Sequence, residues 1–440
     1  MLRRVIRLTR YQWTVFIAAW LGWGFDIFDG LLFNFVAPNA IPTLLGLPIG
    51  SGDAGNAIFF WNGILNSLLL LGWAAGGVVF GLVSDRFGRK RVLLFTMILY
   101  AIGTASCAFV TDMWQLIICR IIASLGIGGE WAAGSAMVAE VVPEDQRVEA
   151  GALLYTSAPL GLFLATFVNA EVAGHWFSHD PAMSWRYVLL FGLVPAAVAF
   201  VVRFFVREPE RWTAAAANAA PARVREIFAP AIRARTVSAL IVTIVALLTW
   251  WTCNAFLQVL ANALAGVEAA ARGLDPAATA ALKQAFIKLG TNWFNLGGLI
   301  GTLLTIPIAK TLGRRRLFLI YFIGSALAVT TACGLDIPAE LRLKLWFFIG
   351  LTVFGVFGCF PFYLPELYPT RLRSTGSGFC YNIGRVITAG GVFAVGAIAK
   401  GAKGDPHVIL ETLFVIGFVP VIGLLLLRWV IETRGQVMPD

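Results

Sequence analysis

The sequence predicts an all-α membrane protein with 12 transmembrane helices arranged as two six-helix bundles. Three observations lead to this fold class. Hydrophobic residues make up 59% of the 440-residue chain and charged residues only 13%, whereas a soluble domain carries about 25% charged residues. The apolar residues form long runs separated by short charged loops. Short motifs of the first half recur in the second half, which indicates an internal repeat.

A helix needs about 20 mainly apolar residues to cross the hydrocarbon core of a bilayer. Six such runs precede the middle of the chain and six follow it, each bounded by charged residues, proline or glycine. The first run is too long for a cleavable signal peptide and is expected to remain as a span. The predicted spans are 12–38, 58–83, 92–110, 113–141, 150–172 and 186–206, then 237–260, 290–309, 316–334, 344–366, 376–398 and 408–431.

Basic residues predict the orientation of these spans. With the N-terminus in the cytoplasm, 24 of the 34 Lys and Arg residues fall on the cytoplasmic side and eight on the outer side, as the positive-inside rule requires. Both termini are therefore expected in the cytoplasm, and the two basic residues assigned to neither side, Arg120 and Arg385, lie inside predicted spans. The net charge of +10 follows from this topology. We expect the lipid bilayer, and not a nucleic acid, as the large partner.

A stretch rich in alanine, arginine and proline divides the chain in the middle. It covers residues 207–236 and is predicted as a cytoplasmic linker. The linker would join an N-terminal six-helix bundle, residues 1–206, to a C-terminal six-helix bundle, residues 237–440.

Residues 266–289 lie between the seventh and eighth predicted spans. Asp275 followed by Pro276 is typical of a helix start. The segment therefore predicts either a short outer helix or an extension of span eight. The six cysteines fall in apolar segments without CxxC spacing and are expected to be packing thiols. They are Cys107, Cys119, Cys253, Cys333, Cys359 and Cys380.

Two motifs occur once in each half at nearly the same separation. Residues 140–147 and 366–373 share the pattern ExxPxxxR and lie 226 residues apart. Residues 88–91 read GRKR and residues 313–316 read GRRR, at a separation of 225. Two independent pairs at one offset indicate duplication, and an even number of spans in each half makes the repeats parallel.

The loop after span two, residues 81–91, reads GLVSDRFGRKR and resembles the loop motif of the major facilitator superfamily of transporters. The likeness extends over essentially the whole chain, and it implies transport of a small solute by alternating access. Asp85 can meet Arg89 and a neighbouring helix N-terminus, which gives an ionic contact that breaks when the cytoplasmic side opens. The alternative is a plain basic loop that anchors the chain at the membrane surface. The expected cytoplasmic gate comprises Asp85, Arg89, Glu140, Arg147, Glu366 and Arg373.

Further motifs are similar to particular branches of this superfamily. Residues 120–131, RIIASLGIGGEW, with the following ExxPxxxR, resemble the proton-linked metabolite, sialate and aromatic-acid symporters. Residues 207–212 and 432–435 resemble signatures that these branches share with sugar porters. The resemblance implies symport of an organic acid anion, with the proton as coupling ion and no other cofactor. Leu32 stands where some branches carry a third acidic residue, which leaves aromatic-acid specificity open.

Four charged residues of the first half lie inside predicted spans and are expected to couple transport to protons. Placing a charged side chain at the middle of the bilayer costs on the order of 3 kcal/mol. Such a residue is therefore expected to have a partner and usually a function. Asp26 and Asp29 lie on one helix face and are candidates for the proton site. Alternatively, one of them only caps or pairs structurally. Arg120 lies at a similar depth, and the resemblance links it to proton coupling, although a static ion pair is the other interpretation. Glu130 is either a second proton acceptor or the partner of a cation.

Arg385 is the only predicted charge at depth in the second half. Because no acidic residue neighbours it on its own helix, it is expected to offer a free guanidinium to a substrate carboxylate. The alternative is a pair with Glu130 across the halves that serves as a gate. The remaining predicted lining of the substrate site consists of polar and aromatic residues within spans: Asn382, Tyr381, Tyr155, Trp250, Asn254, Asn292 and Asn295.

No nucleotide-binding loop and no metal-ligand spacing occur in the sequence, so neither an enzyme nor a metal site is expected. The function that fits best is proton-coupled uptake of a monocarboxylate, sugar acid or aromatic acid. A sugar or polyol carrier is the first alternative. A transporter-like nutrient sensor that signals through the linker is the second. The expected protein is a monomer in a bacterial inner membrane.

Overall fold

The computed structural model describes residues 7–49, 51–177, 179–210, 212–214, 222–401 and 405–439. Within these ranges the chain forms helices and connecting turns and no β-strand. Ten helical segments in the described ranges are long and apolar enough to cross a membrane. The predicted all-α membrane fold is therefore confirmed.

Eight α-helices form the described part of the first half. The fifth predicted span consists of α5 and α6, and the sixth consists of α7 and α8. The helices are α1 (Arg10–Leu45), α2 (Gly52–Phe87), α3 (Arg89–Cys107), α4 (Met113–Val141), α5 (Arg147–Tyr155), α6 (Ser157–Glu171), α7 (Pro181–Phe191) and α8 (Leu193–Phe204).

Seven α-helices form the described part of the second half. The eleventh predicted span lies in α13, and the twelfth consists of α14 and α15. The helices are α9 (Pro230–Ala271), α10 (Pro276–Leu312), α11 (Arg314–Gly334), α12 (Ala339–Glu366), α13 (Arg373–Gly401), α14 (Pro406–Ile416) and α15 (Val419–Leu426).

The repeat predicted from the loop motifs is present in the backbone. Gly88 between α2 and α3 has a φ of 108°, and Gly313 between α10 and α11 has a φ of 88°. Glycine adopts this left-handed region without a steric penalty. The same residue type therefore makes the same sharp reversal in both halves.

Equivalent glycines also bring equivalent helices together. A methyl group on Gly76 of α2 would lie 2.0 Å from the carbonyl oxygen of Leu125 on α4. A methyl group on Gly301 of α10 would lie 1.8 Å from the carbonyl oxygen of Leu351 on α12. Both pairs are related by the repeat offset, and small residues allow such close helix packing in membranes. The same tightly packed helix pair therefore occurs in both halves.

Two segments outside the predicted spans prove to be partly helical. α9 begins at Pro230, within the range predicted for the linker, and a 3₁₀ turn covers Val224–Phe228. Residues 211 and 215–221 of the linker lie outside the described residues. The 266–289 segment contains the end of α9 and the start of α10, where the Asp275 side chain accepts a hydrogen bond from Ala278 N at 2.8 Å. Of the two alternatives for this segment, an extension of span eight is therefore the correct one.

The two halves meet along the middle of the molecule. The principal contact is between α2 of the first half and α13 of the second half. A further contact joins α5 to α10 and α12. These helices carry the charged and aromatic residues that form the site described next.

Candidate functional site

Arg385 lies at the interface between the halves. Its side chain projects from α13, is only 2% exposed, and stands 4.6 Å from the ring centroids of both Trp73 and Tyr381. Trp73 belongs to α2 of the first half, whereas Tyr381 precedes Arg385 by one turn on α13. Aromatic faces attract a guanidinium at this distance. The cation is therefore held between aromatic rings from both halves.

The guanidinium of Arg385 is less free than the sequence predicts. Its Nη1 donates a hydrogen bond of 2.6 Å to Asn382 Oδ1, and the Asn382 amide nitrogen donates to Gly378 O at 2.7 Å. A methyl group on Gly77 of α2 would lie 1.8 Å from the Asn382 amide nitrogen. The missing side chain at position 77 thus gives Asn382 the room to orient Arg385.

Asp26 of α1 is a fully buried carboxylate of the first half. It contributes weakly to the electrostatic environment of the Arg385 guanidinium across the interface. The sequence had offered Glu130 as the cross-half partner of Arg385. The electrostatic influence of Asp26 adds a second acidic residue of the first half to this prediction.

Asp29, one turn further along α1, belongs to a different set of contacts. Its Oδ2 accepts a hydrogen bond of 2.6 Å from the Thr104 hydroxyl, and its carboxylate interacts electrostatically with Arg120. Arg120 donates from Nη2 to Gly30 O at 3.0 Å, and its guanidinium stands 5.1 Å from the Phe33 ring centroid. The Asp29–Arg120 interaction is contained within the first half.

Asp26 and Asp29 are therefore neighbours with separate cationic partners. Asp26 acts on Arg385 across the interface, and Asp29 acts on Arg120 inside one bundle. Any relative movement of the halves changes the first interaction and leaves the second largely intact. The sequence placed both carboxylates on one helix face but could not distinguish them.

Aromatic side chains surround Arg385. Trp131 and Tyr381 stack with their centroids 4.0 Å apart and their planes at 13°. Trp23 lies 6.2 Å from Trp131 and 6.1 Å from Tyr155 between centroids. Tyr155 and Tyr381 both pack on Phe357, at 5.6 and 6.2 Å between ring centroids. Arg385 therefore lies at the edge of an aromatic cluster to which both halves contribute.

Glu130 lies beside Trp131 at the edge of this site, ten residues along α4 from Arg120, which corresponds to about 15 Å of helix. It is buried at 2% exposure and lines a small cavity with Trp23, Ser135 and Pro361. Pro361 comes from the second half, so this cavity also lies between the bundles. It is displaced from Arg385 towards the predicted cytoplasmic side.

Of the other predicted lining residues, Trp250, Asn254 and Asn295 are at least partly buried. Trp250 packs edge-to-face on Phe354, at 5.5 Å between centroids, and Asn254 is half-buried. The amide of Asn295 is fully buried, and neither of its atoms has a hydrogen-bond partner among the described residues. Asn295 is therefore a buried polar group available to a bound molecule.

Asn292 is the predicted lining residue that the structure places elsewhere. It lies on the exposed face of α10 together with Leu296 and Ile300, which are 42% and 36% exposed. The helical repeat of 3.6 residues puts these three positions on one face. The prediction for Asn292 was wrong because asparagine type alone does not indicate which face of a membrane helix it occupies.

Sequence reasoning missed three site residues: Trp73, Trp131 and Thr104. Trp131 directly follows Glu130 in the motif quoted above, so its position was visible but its task was not. Trp73 lies mid-span, away from the membrane interface where tryptophan is usually enriched. That displacement was the available signal for a site aromatic residue.

At the predicted cytoplasmic end, Arg89 and Arg373 share one carboxylate. Arg89 Nη1 contacts Asp85 Oδ1 at 2.6 Å, and Arg89 Nη2 contacts Glu140 Oε1 at 2.9 Å. Arg373 of the second half contacts the same Glu140 oxygen at 3.2 Å. Asp85 also accepts from Thr375 N, in the first turn of α13, at 2.6 Å. We call these contacts the first latch, and they join the two halves.

An equivalent second latch is centred on Glu366. Glu366 Oε1 contacts Arg314 of its own half at 2.7 Å and Arg147 of the first half at 3.7 Å. Lys310 and Glu149 form a further ion pair across the halves. Glu366 thus has the same role as Glu140, because each carboxylate contacts one arginine from each bundle. Arg314 was absent from the predicted gate, although the internal repeat pairs it with Arg89.

Carboxylates outside the spans cap the helices that begin in the repeated loops. Glu208 accepts hydrogen bonds from Arg89 N at 2.8 Å and Lys90 N at 3.0 Å. Glu432 accepts from Arg314 N at 2.9 Å and, in the same way, from the following residue at 3.0 Å. A carboxylate at a helix N-terminus is favoured by the unpaired amides and the helix dipole. The capping arrangement is therefore repeated as well.

The linker also joins the two halves at the predicted cytoplasmic end, where the two latches lie. Glu226 forms an ion pair with Arg371 of the second half, and Arg86 of the first half donates to Ala222 O at 2.9 Å. The Arg371 guanidinium, through its hydrogen bond, holds the pKa of Glu226 below its usual range. A lowered pKa means that the pair stabilises this contact at neutral pH and is lost only as the pH falls into the acidic range.

Two helical bundles, buried charges at their interface and ion pairs that join them at one end define a membrane transport protein. The chain belongs to the Major Facilitator Superfamily, whose sequence profile matches residues 13–392. The resemblance inferred from the loop motif is thereby confirmed. The protein is a transporter and not an enzyme, and a bacterial inner-membrane location fits the relatives it matches.

Individual relatives cover most of the chain. The probable 4-methylmuconolactone transporter of Cupriavidus pinatubonensis is 29% identical over 389 residues, covering 88% of this chain and 84% of that protein. The cis,cis-muconate transport protein of Acinetobacter baylyi is 26% identical over 371 residues, covering 81% of this chain and 84% of that protein. A structure of the proton:xylose symporter XylE of E. coli aligns with a TM-score of 0.72 at 18% identity, covering 97% of this chain and 98% of XylE. The similarity to XylE concerns the fold alone.

Proposed function

We propose that the protein takes up a small organic acid anion together with a proton by alternating access. The observation that carries this proposal is the buried Arg385 with Asp26 as its acidic neighbour across the interface. A buried guanidinium is suited to bind a carboxylate through paired charge-assisted hydrogen bonds. The relatives named as 4-methylmuconolactone and cis,cis-muconate transporters support an organic acid as the substrate.

The proposed coupling is a competition for Arg385. An ionised Asp26 attracts the guanidinium and weakens its hold on a substrate anion. When Asp26 takes up a proton, this attraction ends and the anion binds Arg385. The halves then rock around the site. Release of the proton on the other side restores the charge of Asp26 and favours release of the anion.

The other charged residues of the first half complete the proposed proton path. Arg120 stabilises Asp29 as an anion, so Asp29 serves as a second site that a proton can occupy when Arg120 moves. Glu130, which lines the cavity nearer the predicted cytoplasmic side, offers an acceptor for the departing proton. No cofactor besides the coupling proton is part of the proposal.

The lining favours a planar, unsaturated carboxylate over a polyhydroxylated sugar acid. Trp73 and Tyr381 present ring faces to Arg385, and Trp131 and Trp23 extend this aromatic cluster. Flat conjugated molecules pack well on such rings, whereas each buried substrate hydroxyl needs a hydrogen-bond partner. Since both bundles of one chain supply this site, we propose that a monomer is sufficient for transport.

The two latches support a gating role for Asp85, Arg89, Glu140 and Arg373, together with Arg147 and Glu366. In the conformation described, these residues join the halves at one end. Opening of that end requires the cross-half ion pairs to separate. We therefore assign them to the cytoplasmic gate of the transport cycle.

Uptake into proteoliposomes tests the proposal. Labelled cis,cis-muconate, benzoate, lactate, gluconate and xylose would be supplied with and without an inward proton gradient. We expect accumulation of a planar carboxylate, driven by the gradient and lost when a protonophore is added. Uptake of xylose that is independent of pH and survives Arg385→Gln would instead indicate the sugar or polyol carrier. Ligand binding without flux would indicate the sensor.

A further inference from the structure

Cys107 and Cys119 lie side by side between the third and fourth spans. The two thiols lie close enough to influence each other, and the Cys107 thiol donates to Gly103 O at 3.3 Å. Cys107 is buried, whereas Cys119 is partly exposed. Neither residue belongs to the transport site proposed above.

The contact follows from unusually close packing of α3 and α4. A methyl group on Gly103 would lie 2.5 Å from Ala123 N, and one on Gly126 would lie 2.7 Å from Tyr100 N. These opposed pairs follow a single antiparallel register. Cys107 lies four residues after Gly103 on α3, and Cys119 lies four residues before Ala123 on α4. The same register therefore places Cys107 opposite Cys119. A disulfide requires Cα atoms about 4.4–6.8 Å apart, a separation that only such close helices provide.

The cysteine pair adjoins the Asp29–Arg120 interaction on both helices. Thr104, which donates to Asp29, lies one turn before Cys107 on α3. Arg120 directly follows Cys119 on α4. A covalent bond between the two sulfurs would therefore fix the helix segments that carry the partners of Asp29. In the predicted orientation this end faces the outer side, where disulfides persist in bacteria.

We propose that Cys107 and Cys119 form a reversible disulfide that slows transport by fixing α3 against α4 beside Asp29. The oxidant is a disulfide-exchange reagent. The more exposed Cys119 attacks one sulfur of the oxidant and releases the first thiol. Cys107 then attacks the mixed disulfide and releases the second thiol. Two protons and two electrons pass from the cysteines to the oxidant, and a dithiol reverses the reaction.

The chain offers a direct assay for this bond. Trypsin cleaves after Arg91 and Arg120, and no Lys or Arg lies between them, so both cysteines fall in the single peptide 92–120. Purified protein in proteoliposomes would be treated with oxidised glutathione, alkylated and digested. We expect a peptide 92–120 that is lighter by two hydrogen atoms and carries no alkyl group. Treatment with dithiothreitol before alkylation should restore two alkylated thiols.

Transport measured on the same samples tests the consequence. We expect oxidation to slow uptake several-fold in the wild-type protein and to leave Cys107→Ser and Cys119→Ser unaffected. Cys253 interacts electrostatically with Cys333 in the second half, so Cys253→Ser is the matched control and should still be inhibited. Failure to find the oxidised peptide would overturn the proposal, and so would an oxidised peptide accompanied by unchanged uptake. The mass measurement is informative even if the assigned substrate is wrong.

Discussion

Asp26 on α1 interacts electrostatically with Arg385 on α13, and the two residues belong to opposite halves of the transporter. Three residues along α1, Asp29 interacts with Arg120 inside the first half. The first interaction bridges the interface that must change during transport, whereas the second lies within one bundle. Substitutions of the two aspartates are therefore expected to have different effects.

Asp26→Asn removes the acidic competitor of Arg385. We expect substrate binding to become independent of pH and proton-driven accumulation to disappear, while exchange of labelled for unlabelled substrate continues. Binding measured between pH 5 and 8 and counterflow in proteoliposomes check these outcomes. Asp29→Asn is the matched control because it leaves Arg385 untouched, and it should retain pH-dependent binding. Continued proton-driven accumulation by Asp26→Asn would show that its assigned role is wrong.

Arg385→Lys keeps the positive charge but removes the planar guanidinium, which can donate two parallel hydrogen bonds to one carboxylate. A charge-assisted hydrogen bond contributes about 1.5–3 kcal/mol, so losing one of a pair should weaken substrate binding roughly 10- to 100-fold. Equilibrium binding of the transported acid measures the change. Lys344→Arg on α12 makes the reverse change at an exposed ion pair and should leave binding unaltered. Unchanged binding by Arg385→Lys would remove the main support for carboxylate recognition at this residue.

Gly77→Ala tests whether Asn382 orients Arg385. The added methyl group would lie 1.8 Å from the Asn382 amide nitrogen, so Asn382 must move and release its hydrogen bond to the guanidinium. We expect weaker substrate binding with little loss of folded protein. Gly63→Ala on the same helix is the control, because a methyl group there meets nothing within 4 Å. Equal binding by the two variants would contradict a positioning role for Asn382.

Glu140→Gln tests the first latch. The substitution removes the carboxylate charge that Arg89 and Arg373 share. Breaking a buried ion pair in this way destabilises a protein by about 3–5 kcal/mol. The closed end should therefore open more often. Spin labels at the exposed, repeat-related positions 91 and 316, in a cysteine-free background, should report longer distances. Glu144→Gln removes a half-exposed ion pair with Arg147 and should leave the distances unchanged.

Much of the architecture was predictable from local pattern. Apolar runs indicated the spans, because a bilayer imposes a minimum helix length. The repeated loop motifs indicated two related halves, and Gly88 and Gly313 prove to make the same turn. Helix boundaries were less certain, since α9 continues from Pro230 to Ala271 beyond both predicted ends of the seventh span.

The candidate site was only partly predictable. Charged residues within spans stood out because burial of a charge is costly, so Asp26, Asp29, Arg120 and Arg385 were identified individually. The sequence left Arg120 with either Asp26 or Asp29 as its partner, because each partner lies on another helix. The mid-span position of Trp73 was the one local signal of its role, and Thr104 carried no local signal of its contact with Asp29. Asn292 was assigned to the lining although the exposed face of α10 carries it.

The sequence by itself determined the fold class, the internal repeat and the set of charges that the membrane must accommodate. These properties depend on hydrophobicity and spacing along one chain. The tertiary structure decided which carboxylate pairs with which cation, and it brought Cys107 next to Cys119. It also decided that Glu140 and Glu366 each contact one arginine from the first half and one from the second. Such pairings depend on helix rotation and on the close approaches allowed at Gly77, Gly103 and Gly126. Those approaches arise only when separate helices pack together.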